Sequence, residues 1–372
     1  MRIAFVSDAI YPYHKGGKEK RLYEMSTRLA KKGFDVHVYC MHWWDGPEKD
    51  RIENGVYLHA ISKLYPLYTS ERRSIKEGIL FGLACLKLVT KNFDVLDVDH
   101  MPIFPIFSCW VVAKLKNKKM IAVWNEVWGR KYWVDYMGLS GNIAALLEWM
   151  AVRLPDNIVS ISSHTTKRLV TILNCKTNII EIPVGVDLAK LKNVKPSNKH
   201  YDVMFAGRLL SNKRVDLLIK AVANLKNEGN HIKCLIIGEG PEKKNLEFLS
   251  KKIKVDKLVD FLGFLEKHDD VYSYMKSSSL FIFPSEREGF GIVVIEANAC
   301  GTSVITNSAE GNAAKDLILD GYNGFIFKDV DSLADSIKQG LIQSNQLRSN
   351  CIKVAKPYDW ANITSRLAEI YK

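Results

Sequence analysis

Short apolar runs alternate with longer segments of helical spacing along most of the chain. RIAFVSD (2–8) reads as a buried strand. From about residue 17 to 32 the apolar positions Leu22, Met25 and Leu29 recur at helical spacing until Gly33 stops the helix, and FDVHVYC (34–40) is again strand-like. Strand, helix and strand at such short spacing predict a parallel sheet with helices on both faces. Further strands are predicted at FDVLDVD (93–99), KMIAVWN (119–125), NIVSIS (157–162) and NIIEIP (178–183).

A polar stretch without periodicity follows, VGVDLAKLKNVKPSNKH (184–200), and then the pattern restarts. A strand at YDVMFAG (201–207), a helix at VDLLIKAVANL (215–225) and a strand at KCLIIGEG (233–240) lead to the later strands LFIFPS and TSVIT. The junction between two α/β domains is therefore expected within 184–200, giving domains 1–183 and 184–356. Two open parallel sheets in series are expected to face a central cleft, because such sheets bind ligands beyond the carboxyl ends of their strands. The length of 372 residues agrees with two domains, each usually of roughly 100 to 200 residues.

Charge divides the halves. The formal charge is +12, and residues 1–195 hold 29 Lys/Arg against 19 Asp/Glu, leaving 24 and 22 for the rest. A basic first half raises the local concentration of anions, whether nucleic acid, an anionic membrane or a phosphorylated substrate. Much of the excess lies in KGGKEKR (15–21), ERRSIK (71–76) and KLKNKK (114–119), and a solvated face accounts for it as well as a binding patch does. Seven cysteines are scattered without CxxC or a Cys/His cluster, which points to reduced thiols in a cytoplasm rather than structural zinc. MPIFPIFSCWVVA (101–113) falls short of the roughly 18 residues a spanning helix needs. The expected chain is soluble or peripheral to a membrane.

Chemistry concentrates in PSEREGFGIVVIEANACG (284–301). LFIFPS should be a buried strand, EREGFG the turn after it and IVVIEANAC a helix opening near Gly291. A helix N-terminus behind a glycine turn offers free N–H groups and partial positive charge, which suit phosphate. Glu288 and Glu296 would flank that site, each able to accept hydrogen bonds from the paired hydroxyls of a sugar ring. Such an arrangement fits a nucleotide sugar; two unrelated glutamates near a helix start fit the spacing equally. FAGRLLSNKRVD (205–216) adds Arg208 just after a strand and Lys213 at a helix entrance, two cations able to neutralise a diphosphate leaving group.

Taken with GEGP (238–241) and FLGFL (261–265), these segments resemble the retaining GT-B glycosyltransferases of group 1, also called family 4. The resemblance covers nearly the whole chain. It implies two Rossmann-like domains, the first on the acceptor side and the second holding the donor, with PYDWANITSRLAEIY (357–371) similar to the closing helix that crosses back onto the first. Carried over by position, Glu288, Arg208 and Lys213 form the catalytic set, the cations on the diphosphate and the carboxylate on the transferred sugar. Glu296 holds the ribose hydroxyls, Gly289, Phe290 and Gly291 line the sugar and phosphate pocket, and Leu265 borders the base. Gly16 and Gly17 lie against the donor phosphates, and Asn125 and Glu126 lie on the acceptor side.

The implied activity is transfer of a hexose with retention of configuration, without cofactor or metal, to a lipid-linked sugar or cell-surface polysaccharide precursor. Two rivals stay open: a nucleotide-sugar 2-epimerase of the same fold, and a catalytically silent sugar-nucleotide-binding protein. The second is kept alive by Asn125, which stands where many relatives have His and cannot shuttle a proton near neutral pH. The basic first domain would suit an anionic membrane surface, and no motif supports nucleic acid.

Other segments carry less. DVD (97–99) is not expected to bind a metal, and His14, His100 and His164 read as loop or helix-start residues without ligand spacing. GEG (238–240) is followed by Pro241 and completes no dinucleotide fingerprint. VWNEVWGRKYWVDYMG (123–138) alternates aromatic and charged residues, as a loop facing sugar or lipid would.

Overall fold

The structure is a computed structural model that describes residues 1–69 and 72–372. Glu71, within the basic segment ERRSIK, lies outside the described residues. The chain forms two compact units: Met1–Val184 with Ala361–Lys372, and Gly185–Trp360.

Unit 1 holds β1 (Arg2–Val6), β2 (Asp35–Met41), β3 (Asp50–Glu53) and β4 (Val56–Ser62), then the two-residue strands β5 (Tyr68–Thr69) and β6 (Arg72–Arg73). β7 (Val95–Asp99), β8 (Lys119–Trp124), β9 (Asn157–Ser160) and β10 (Asn178–Glu181) complete it. Eight strands share one sheet in the order β10-β9-β8-β7-β1-β2-β4-β3, while β5 and β6 pair only with each other. The order reverses beside β1, which pairs with both β2 and β7 in parallel. The central strands are buried on both faces and so read as continuous apolar runs.

One departure from an all-parallel sheet is the edge strand β3, antiparallel to β4. Its sequence, DRIE, is mostly charged and exposed, which gives no apolar signal but suits a sheet edge that must not pair further.

Unit 2 holds β11 (Tyr201–Ala206), β12 (Cys234–Ile237), β13 (Val259–Gly263), β14 (Ser278–Phe283), β15 (Ser303–Asn307) and β16 (Gly324–Phe327). All are parallel, in the order β13-β12-β11-β14-β15-β16. Its switch point lies between β11 and β14. The glycines of GEG serve packing: Gly238 and Gly240 lie so close to the carbonyls of Gly207 and Leu209 that a side chain at either would overlap them.

The last helix, Trp360–Tyr371, contributes its residues from Ala361 onward to unit 1. Ile363, Leu367 and Tyr371 recur at helical spacing and are buried. The Tyr371 ring meets Phe5 edge-on at 5.9 Å, and its hydroxyl donates to Asp97 Oδ2 at 2.6 Å. All seven cysteines are free and buried. Among the described residues no helix is long and apolar enough to cross a membrane.

Candidate functional site

In unit 2 the two segments richest in candidate residues follow β11 and β14, the adjacent strands at the switch point. Open α/β sheets bind ligands at that place, because the loops diverge there and leave a crevice. Gly291 begins the helix Ile292–Ala299 with φ +90, and a Cβ added there would stand 2.6 Å from Ala314 Cβ. Only glycine fits such a left-handed, crowded position. The turn 284–291 is thereby held tight, with the helix N-terminus behind it.

Glu288 is pinned by its own backbone: its N–H donates to the Gly311 carbonyl at 3.0 Å and its carbonyl accepts from Ala313 at 3.0 Å. Its Oε1 pairs with Lys213 Nζ and accepts from Ser285 Oγ at 3.2 Å. The two loops are stitched further where the Glu286 N–H donates to the Asn212 carbonyl at 2.9 Å. Arg214, in a left-handed conformation with φ 49, bonds Asp216 and pairs with Glu286. Arg208 is exposed and its side chain has no partner among the described residues. The structure thus brings Lys213 and Glu288 together and leaves Arg208 facing solvent.

Glu296 is buried inside its helix, and its Oε1 accepts from Tyr272 Oη at 2.8 Å and meets His268 Nε2 at 2.9 Å. Both partners lie on the helix His268–Ser277, three residues after Leu265 at the end of FLGFL. The sequence reading missed them. The available signal was their spacing: His268 and Tyr272, four apart, share one helix face.

In unit 1, Gly16 precedes the helix Gly17–Lys31, and a Cβ at Gly17 would meet nothing within 4 Å. Lys18 Nζ, from the same turn, donates to Asp8 Oδ1 at 2.6 Å and to the Met101 carbonyl at 3.0 Å, and Arg73 pairs with the other Asp8 oxygen. Burial pushes the Asp8 carboxyl up, but Lys18 and Arg73 outweigh it and hold it below the usual range. Asp97 has the opposite fate: burial pushes it up to about 7, only partly offset by Tyr371 and Arg21. Among the described residues no group of three or more His, Cys, Asp or Glu could hold a metal ion.

Asn125 and Glu126 follow β8 and are partly buried. The Asn125 N–H donates to Nδ1 of His100 at 3.3 Å, and the His100 ring stacks on Trp124 at 5.1 Å. His100 lies in the bend after β7, as a loop residue, but its ring is buried beside Asn125, and burial pushes it down to about 3, so it stays neutral.

The tryptophan-rich stretch also needs correction. Trp124 ends β8 in the core, Gly129–Met137 is a helix, and Trp133 is buried with its Nε1–H donating to Glu148 Oε2 at 2.9 Å. It is largely a packed element rather than a sugar- or lipid-facing loop, because Glu148, fifteen residues on, supplies the acceptor that a buried indole needs.

Against this geometry, the family described as glycosyl transferases group 1 matches residues 189–357, and Glycosyltransferase Family 4 matches residues 15–190. The chain belongs to the group 1, family 4 glycosyltransferases. The phosphatidylinositol N-acetylglucosaminyltransferase gpi3 subunit of Schizosaccharomyces pombe is 23% identical over 377 residues, covering 98% of this chain and 79% of the relative. Among solved structures, sucrose-phosphate synthase from Thermosynechococcus elongatus superposes with a TM-score of 0.82 at 16% identity, covering 100% of this chain and 98% of the other. Anabaena HepE, solved in complex with UDP, gives a TM-score of 0.75 at 18% identity, covering 100% and 99%. These structural likenesses establish the GT-B fold for this glycosyltransferase.

Proposed function

We propose that this glycosyltransferase moves a hexose from a nucleoside diphosphate sugar to a lipid-linked sugar or cell-surface polysaccharide precursor, with retention of configuration and without a metal ion. The observation that carries the reading is the switch point of unit 2. There an exposed Arg208, a Lys213–Glu288 pair and a glycine-opened helix N-terminus lie in the loops after two adjacent strands. A cation about 4 Å from a phosphate oxygen is worth about 4 kcal/mol at an effective dielectric near 20, before desolvation. Arg208 and Lys213 would supply that stabilisation as the diphosphate departs, Lys213 exchanging Glu288 for the phosphate. Glu288 then accepts a hydroxyl of the transferred sugar, and Glu296, oriented by His268 and Tyr272, accepts from the ribose.

In the reaction the bond from the anomeric carbon to the diphosphate oxygen breaks, and a bond to the acceptor oxygen forms on the same face. The acceptor's proton passes to the departing phosphate oxygen, so Asn125 need only orient the acceptor by hydrogen bonding. HepE, of the same fold, was solved with UDP, which makes uridine donors the first to try. The gpi3 relative, named for a phosphatidylinositol acceptor, supports a lipid-linked acceptor. The cationic first unit supports work at the cytoplasmic face of a membrane.

Calorimetric titration with UDP-, GDP- and ADP-sugars, wild type beside Glu296→Ala, tests the donor site. Binding of one nucleotide class, lost in the variant, is expected; binding unchanged by the substitution overturns the site. Turnover in the presence of a chelator and the anomeric configuration of the product test metal independence and retention. Asn125 favours one other reading, a silent binder, which would take up donor normally and transfer nothing to any acceptor.

A further inference from the structure

One face of β2 and β4 carries four aromatic rings. In the parallel register of these strands His37 stands beside Tyr57, and Tyr39 beside His59. Residues two apart in a strand share a face, so the four form one tile. The His37 ring lies within 10° of parallel to Tyr57 and 4° to His59. Asp35, two residues before His37, closes one end of the tile, and Asp50, opposite His59 on β3, closes the other.

The hydrogens along this row can be counted. His37 Nε2 meets Asp35 Oδ1 at 2.9 Å, and His59 Nδ1 meets Asp50 Oδ1 at 2.5 Å. An ionised carboxylate only accepts, so each of those nitrogens carries a hydrogen. Between the rings, His37 Nδ1 and His59 Nε2 stand 2.7 Å apart, and that contact needs a hydrogen of its own. Two neutral imidazoles bring one hydrogen each, whereas the row uses three. One of the two rings is therefore an imidazolium.

The surroundings decide which. His37 is buried and is held below the ordinary histidine range, by burial above all, with Asp35 opposing and His59 and Arg2 adding. His59 is half-buried beside the exposed Asp50, where a cation costs less. At the far end Arg2 Nε donates to Asp35 Oδ2 at 2.6 Å, and Asp94, Lys116 and Lys118 line the same cavity as this pair. Lys87, from the helical turn Cys85–Thr90, is taken up by the Ile61 carbonyl of β4 at 2.7 Å. Burial pushes Tyr39 up to about 12, so its hydroxyl stays neutral.

We propose that His37 and His59 hold one extra proton between them and act as an acid-released latch on the sheet edge of unit 1. The latch runs from Asp35 on β2 through both rings to Asp50 on β3. β3 in turn holds Tyr13, in the loop between β1 and the helix Gly17–Lys31: Arg51 donates to Tyr13 Oη at 2.8 Å, and Glu53 Oε1 accepts from it at 3.3 Å. With three hydrogens every contact in the row is made. A fourth, arriving on His37 Nδ1, sets the N–H groups of two cations against each other and breaks the row in the middle. As pH falls below about 6.5, an opened edge takes up a proton that the closed His37 refuses, so acid favours opening and the release of Tyr13. The latch belongs to unit 1 and is independent of the donor chemistry proposed for unit 2.

The experiment is two-bond proton–nitrogen NMR of the full chain with nitrogen-labelled histidine, the signals assigned by His37→Gln and His59→Gln. Three protonated ring nitrogens are expected at about pH 7, both of His59 and Nε2 of His37, with Nδ1 of His37 bare. Two protonated nitrogens, one per ring, overturn the shared proton. Asp50→Asn keeps an acceptor without the charge and should lose the third proton at a pH lower by about one unit; loss at the wild-type pH overturns the role of the row in holding it. Hydrogen exchange reads the latch itself. Protection of the β3 and β4 amides, relative to those of β14, is expected to fall about tenfold from about pH 7 to about pH 5. Protection that stays level over that range overturns the latch, as does a fall in both glutamine variants equal to that in wild type. Thermal unfolding checks that each variant folds.

Discussion

Both sheets collect polar side chains at their switch points, but the two edges finish differently. In unit 2 the groups after β11 and β14 stay near solvent: Arg208 is exposed, and Lys213 pairs with Glu288 within reach of water. In unit 1 the acids turn inward: Asp8, just after β1, is clamped by Lys18 and Arg73, and Asp97, in the middle of β7, is sealed under Tyr371. The difference lies in how completely the partners close the site, not in sequence distance, since Lys213 and Glu288 are 75 positions apart and Arg73 and Asp8 are 65. Asp8 and Asp97 are sealed from water, whereas the Lys213 and Glu288 side chains stay 18% and 16% exposed. Full burial turns an acid into core, and partial exposure leaves a pair open for a ligand.

The sharpest way to break that contrast is kinetic. Glu296→Ala and Arg208→Ala should each lower turnover by about 10²- to 10³-fold, as loss of a group contacting the transition state usually does. Steady-state rates with the donor found by calorimetry check this. Near-normal turnover in both variants would show that the open edge of unit 2 is not the reactive one.

A large effect on stability is expected from Glu148→Ala. Three donors lose their acceptor in a buried site, which costs about 3 kcal/mol, read as a lower urea midpoint with unchanged slope. Donor affinity should stay within about twofold, since unit 2 is untouched.

The pH dependence of unfolding sharpens the comparison further. Asp97 is raised to about 7 in the folded protein, so the unfolded chain gives up its proton first as pH rises. Over the window from about pH 4 to about pH 7 the folded state therefore binds more protons, stability from this group falls, and the fall levels off above. Asp97→Asn should flatten that fall in thermal melts, the amide oxygen still accepting from Tyr371. A melt as steep in the variant as in wild type would assign the pH dependence to other groups.

The smallest effect belongs to Arg214→Gly. Glycine relieves a left-handed residue of roughly 1 kcal/mol, and the lost pairs with Asp216 and Glu286, partly exposed, return a similar amount. The melting temperature should hardly move. A loss of several degrees would show the loop stitching of unit 2 to be structural in the manner of unit 1.

The alternation of apolar runs and helical spacing made both sheets legible, because central parallel strands must be apolar on both faces. The turn at 284–291 was legible for a related reason: its glycines, its carboxylates and the helix behind it lie within eighteen consecutive residues. Other features hid. β3 carries charged residues suited to an edge, Trp133 needed an acceptor on another helix, and His268 and Tyr272 became partners of Glu296 only when two helices met.

From the sequence alone came most of the sheet strands, though not β3, β4, β13 or β16, together with the restart of the pattern in the second half, the glycine turn and the family that its residues resemble. Only the tertiary structure decided which acids keep their charge and which way the amphipathic helices face. Periodicity states that a helix has an apolar side. It does not state which side is buried, and for Gly141–Ala151 three donors waiting inside turned Glu148 inward while Ile143 and Leu146 face out and Leu147 packs against the core. Ionisation follows the same logic, because desolvation and long-range partners set it, and neither exists until the chain has folded.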